Sequence, residues 1–239
     1  MTSGTRIAPA TPSGVAGAAR PALDRPAPDQ PAPDQPVQRT VVGVDTDLTR
    51  TADVDHLIAG LAAVLPRGAV AATHLVRDER PHVSVSLDLP GRLDRAAHAD
   101  VAAAFGSRPL VVELLADEGV RIGEADVPAG ARLAVAETLT GGGGRAVVFP
   151  GSDQLYGDLT AADLLARCAV DRVVDVTGAD VDPSVVIRTR DFVRPLRVGR
   201  RLELTVQPAR DATVVPFEDP DPTACCVTHG RGGAVLAAD

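Results

Sequence analysis

The chain has 239 residues and a formal charge of −8, with 24 arginines, 32 acidic residues, three cysteines and neither lysine nor asparagine. The acidic balance excludes a generic nucleic-acid surface and an anionic-membrane partner, both of which need a basic face. The missing lysine excludes P-loop NTPases, pyridoxal-phosphate enzymes and ordinary protein kinases.

Residues 1–38 are rich in Pro, Ala, Gly and Ser and contain the repeat RPAPDQPAPDQP. Such a segment buries too little apolar surface to offset its ordering entropy, which predicts a disordered tail. Order is predicted to begin with the strand TVVGVD. A helix follows in TADVDHLIAGLAAVLP, with Val54, Leu57, Ile58, Leu61, Val64 and Leu65 on one face, Thr51 or Asp53 as cap and Pro66 beyond its end. AVAATHLV and HVSVSLDL read as a hairpin around RDERP. In the second strand Val83, Val85, Leu87 and Leu89 alternate with His82, Ser84, Ser86 and Asp88. LDRAAHADVAAAFG reads as a second helix and PLVVELLA as a strand. The order β-α-β-β-α-β over 39–128 is that of a ferredoxin-like domain, so the expected class is α+β.

Residues 129–218 are predicted to form a second, mixed α/β half, separate from the first or continuous with it. ARLAVAETL and RAVVFPG flank TGGGG and read as a hairpin. LTAADLLARCAV reads as a helix capped by Thr160, with Cys168 on its buried face. DRVVDVTG, VVIRTRDFV, RLELTVQP and ATVVPFE read as strands, the last three as a β-meander turning near Gly199. Residues 219–239 form a polar C-terminal tail.

That tail carries DPDPTACCVTHG. Two thiolates and an imidazole within five residues, Cys225, Cys226 and His229, could bind zinc or another transition metal, with Asp221 as a fourth donor. Adjacent cysteines in an extended chain point apart, so both bind one ion only if the backbone bends or two chains share it. A redox pair, a nucleophilic cysteine activated by His229, and plain packing are the other readings.

The second candidate is the run RTRDFVRPLRVGRR. Arg188 and Arg190 are expected on one strand face with Val186 and Phe192, and with Arg194, Arg197, Arg200 and Arg201 they suit a carboxylate, a phosphate or an acidic partner surface, while Arg145, after Gly141–Gly144, could add a guanidinium to a phosphate held by that loop. Asp153, in FPGSDQLYG, sits among Pro, Gly and aromatic residues as a further candidate. Gly141–Gly144 lack the following helix that a phosphate loop needs. His74 and His82 are expected as cross-strand neighbours.

The expected function is therefore a binding one. The chain reads as an accessory or regulatory protein with a metal-binding tail and an arginine-bearing site for a small anionic ligand or a protein partner. The alternative is a cysteine- or metal-dependent enzyme using Cys225 or Cys226 with His229. No apolar run approaches the roughly 20 residues that span a bilayer, and no secretory signal is seen, so the expected compartment is the cytoplasm.

Overall fold

Period-two alternation and helical spacing organise the first half of the chain. The computed structural model describes residues 39–91, 95–106, 109–115, 119–122 and 127–220. It opens with β1 (Arg39–Asp45), α1 (Thr51–Leu61), β2 (Val70–Val76), β3 (His82–Pro90), α2 (Arg95–Phe105) and β4 (Leu110–Leu115). β1 lies between β3 and β4, β2 lies outside β3, and all these pairs are antiparallel. α1 and α2 cover the face that carries Val83, Val85 and Leu87.

α1 departs from expectation at both ends. Its N-cap is Arg50, which makes no side-chain cap bond. The helix stops at Leu61, so Val64 leaves the helical register and is 68% exposed, while Leu57 is 37% exposed at the edge. The residues it buries are Val54, Asp55 and Ile58.

β5 (Gly119–Ile122) pairs with β4, and a further helix follows, α3 (Ala129–Thr140). A strand was expected there. The segment is rich in Ala, Leu and Glu, and its buried positions Gly130, Ala131, Ala134, Val135 and Thr138 recur at helical spacing. Gly141, at φ 70°, ends the helix, and the amides of Gly141 and Gly142 both donate to the Glu137 carbonyl. The glycine run is thus a helix C-cap rather than a hairpin turn. α3 packs on the sheet face opposite α1 and α2. It crosses at Gly43, where an added Cβ would lie 2.1 Å from the Ala131 carbonyl oxygen, so only glycine admits a helix this close.

The rest of the chain extends the same sheet with β6 (Arg145–Val148), β7 (Asp158–Thr160), α4 (Ala161–Arg167), β8 (Arg172–Asp175), β9 (Val186–Arg188), β10 (Leu196–Val198), β11 (Arg201–Pro208) and β12 (Val214–Pro216). β6 joins β2 with a register shift at Ala71/Ala72. Across that irregularity Ala146 faces the core of the second half and Val147 the core of the first. β10, β11 and β12 form a meander that turns at Gly199; β9, expected as the first strand of that meander, instead pairs parallel with β12, and β8 pairs parallel with β11. The Thr160 hydroxyl accepts the Asp163 amide at the start of α4, as expected of a cap. The molecule is therefore α+β, with strands from both sides of residue 128 in one mixed sheet.

The strand expected across Arg188 and Arg190 is cut short. Arg190 and Asp191 take the left-handed φ values 56° and 53°, so these two arginines do not share a strand face. Thr189, fully buried, turns the chain by donating from both amide and hydroxyl to the Gly157 carbonyl, and the Asp191 carboxylate accepts the Gly157 amide. The expected tail at 1–38 lies outside the described residues, as do Asp221, Cys225, Cys226 and His229.

Candidate functional site

Asp55 is the centre from which the site is built. It sits on α1 beside Val54 and three residues before Ile58, which turns it inward, and its side chain is 9% exposed. A buried carboxylate needs compensation. Arg145, at the start of β6, donates to it from Nη1 at 2.6 Å and from Nη2 at 3.0 Å. Arg194 donates from Nε at 3.0 Å. The two guanidinium groups also lie over the Phe192 ring, at 5.6 and 4.4 Å from its centre. The remaining edge of Arg145 is taken by Glu218, two residues past β12, whose carboxylate accepts Nε with both oxygens, at 2.6 Å for Oε2. Burial alone would lower the proton affinity of Arg145, but its bonds to Asp55 and Glu218 outweigh burial and raise it.

Two cavities meet at this pair. One, of about 810 Å³, is lined by Thr51, His74, Leu75, Val76, Leu133, Glu137, Gly144, Leu196 and others; the second, of about 770 Å³, by Arg50, Asp55, Phe192, Phe217 and others. Arg145, Glu218 and Thr51 line both. The larger cavity opens beside β2, because β6 pairs with β2 only through Ala71–Thr73.

The larger cavity is also lined by a histidine–glutamate pair, His74 and Glu137. His74 is 2% exposed. Its Nδ1 lies 2.7 Å from Glu137 Oε2 and its Nε2 lies 2.8 Å from Ser86 Oγ. With a neutral ring, Nδ1–H donates to Glu137 and Nε2 accepts the Ser86 hydroxyl. Burial pushes the His74 pKa down, against the opposing pull of Glu137. These distances suit an activated hydroxyl, but Ser86 is 1% exposed under α3, so here it holds the ring rather than facing the cavity. The glycine loop closes over the pair. A Cβ at Gly144 would lie 2.9 Å from His74 Cε1, and one at Gly143 2.9 Å from Glu137 Oε2.

No protein-family model, curated protein or solved structure matches this chain.

The arginines singled out from the sequence therefore divide. Arg145 and Arg194 converge on Asp55. Arg188 and Arg190 lie apart on the surface, pairing with Asp211 at 3.3 Å and Asp219 at 3.2 Å. Asp153 is exposed on a single turn, Ser152–Gln154, beside a third cavity of about 380 Å³. His74 and His82 do share a face of the hairpin but bond different carboxylates, since His82 Nε2 lies 2.7 Å from Asp45. Cys168 is half-buried, its thiol donates to the Leu164 carbonyl, and burial pushes its pKa up, the reverse of a reactive thiolate. Among the described residues no group of three or more His, Cys, Asp or Glu is placed to hold a metal ion, and no helix is long and apolar enough to cross a membrane. Asp55, Glu137 and Glu218 were missed. Asp55 alone left a signal, its place on the inward edge of an amphipathic helix.

Proposed function

We propose that this protein is an accessory or regulatory binding protein that takes a small anionic ligand at Arg145, with an apolar body lying against Leu75, Val76, Leu133 and Leu196. The observation that carries the reading is the position of Arg145. A guanidinium whose side chain is only 12% exposed forms part of the wall of two cavities, already oriented by a buried carboxylate. A mostly apolar cavity with a few convergent polar groups is the usual form of a small-molecule site, and a fixed guanidinium edge matches a carboxylate or phosphate. The test is titration of the full chain with hexanoate and, separately, inorganic phosphate, followed by amide chemical shifts. Saturable movement of the Leu75 and Gly144 signals is expected with hexanoate; no movement with either anion would overturn the reading.

The same proposal gives the first half a ferredoxin-like fold, supported by the antiparallel order β4-β1-β3-β2 with α1 and α2 on one face. It also proposes the cytoplasm as the compartment, where the three cysteines would stay reduced. For Asp221, Cys225, Cys226 and His229 the proposal of a zinc or other transition-metal site rests on donor chemistry alone. Metal content per chain, measured before and after a chelator, is expected near one ion per chain or one per two chains. A metal-free protein with ordinary thiol reactivity would remove that part, and a fast-reacting thiolate would favour the cysteine-dependent enzyme instead.

A further inference from the structure

We propose that Glu218 is a built-in stand-in for the ligand's anionic group: it holds the Nε edge of Arg145, is displaced when the ligand binds, and in leaving joins the two cavities into one. This inference rests on the reading of Arg145 as an anion anchor and adds how that anchor is controlled.

The two carboxylates on Arg145 are not equivalent. Asp55 is 9% exposed and is held by two arginines at once, so it is a fixed part of the site. Glu218 is 37% exposed, and among the described residues Arg145 is its hydrogen-bonding partner. Its backbone is anchored independently, because the Phe217 amide donates to the Thr205 carbonyl at 2.9 Å. The Glu218 side chain can therefore rotate outward without unpairing the sheet. Its position gives that rotation a consequence, since Glu218, with Arg145 and Thr51, lines both the cavity of about 810 Å³ and that of about 770 Å³.

The exchange balances in charge and in hydrogen bonds. One carboxylate leaves the Nε edge for water and another takes its place, while Asp55 keeps the Nη edge. Ligand affinity then reflects the difference between two similar charge-assisted bonds, and removing the internal competitor should strengthen binding. Such a bond contributes enough that its loss as a competitor corresponds to roughly tenfold or more in affinity.

The experiment compares wild type and Glu218→Gln, both as full chains, by calorimetric titration with hexanoate, with circular dichroism to confirm equal folding. Binding about tenfold tighter in the variant is the expected result. Equal affinity within about twofold overturns the stand-in role and leaves the anion-binding reading intact. No binding to either protein overturns both. A measurement on the wild type does not depend on the variant's folding: the side-chain carboxyl carbon of Glu218 should shift to a solvent-exposed value as hexanoate saturates. An unmoved signal under saturation overturns the proposal.

Discussion

His74 and His82 stand on the same face of the β2–β3 hairpin, yet their surroundings drive their protonation in opposite directions. For His82 the largest influence is the Arg80 carbonyl, which accepts from the ring; Asp45 and Asp78 add to it, burial opposes it, and the pKa is raised. The folded protein thus binds this proton more tightly than the unfolded chain. The stabilisation is fully present below the unfolded value of about 6.5 and is lost as pH rises through the higher folded value. For His74 burial dominates and lowers the pKa; Glu137 from α3 opposes it, Arg197 from β10 adds to it, and Ser86 needs an unprotonated Nε2 to accept its hydroxyl. Its contribution is complete above about 6.5 and is lost as pH falls through that value toward the lower folded one. Nitrogen-detected imidazole titrations should therefore place the His82 midpoint above that of free histidine and the His74 midpoint below it. His74→Gln should flatten the acid limb of stability against pH, and His82→Gln the alkaline limb. A His74 midpoint above 6.5 would mean that the Glu137 pair, not burial, governs the ring.

At the scale of elements, how much was legible depended on whether the deciding contact was local. Period-two alternation gave β3 because one face meets α1 and α2 directly, and the Thr160 cap was readable because donor and acceptor are three residues apart. The helix α3 was not readable as such. Its buried stripe is built from Gly130, Ala131 and Ala134, small residues whose hydrophobic contrast is weak, and their burial follows from a close crossing at Gly43 nearly ninety positions earlier. β9 was over-extended for a related reason. The alternation of VVIRTRDF continues past Arg188, but the Gly157 carbonyl, distant in sequence, captures Thr189 and turns the chain. The site divides along the same line. Arg145 and Arg194 were visible as unusual cations, whereas the carboxylates that orient them, Asp55 and Glu218, are 90, 139 and 73 residues away along the chain in the three pairings. Their role is set by tertiary approach, and only the inward placement of Asp55 on α1 left a trace in the sequence.

For the whole molecule a narrow joint in the sheet lies between β6 and β10, both past residue 128, and ion pairs back to the first half tie it together. β6 and β10 share one register pair, Arg145 with Leu196, flanked by the Ala146 amide to the Pro195 carbonyl and the Arg197 amide to the Gly144 carbonyl. Two carboxylates of the first half reinforce it. Asp88 accepts Arg39 and Arg197, and Asp55 accepts Arg145 and Arg194. Removing one partner from a buried ion pair leaves uncompensated charge: Asp55→Ala takes from Arg194 the carboxylate it pairs with and leaves Arg145 with Glu218 alone. The expected loss is roughly 3–5 kcal/mol, or a fall in Tm of roughly 6–20 °C for a protein of this size. Arg188, 41% exposed, pairs only at the surface, and Arg188→Ala should stay within about 1 kcal/mol of wild type. Thermal unfolding of the two variants separates the alternatives. If Asp55→Ala melts with Arg188→Ala, the joint is held by apolar packing alone. If it melts far below, adding Arg194→Met to Asp55→Ala should recover part of the loss, because the second change removes the charge whose carboxylate partner the first took away.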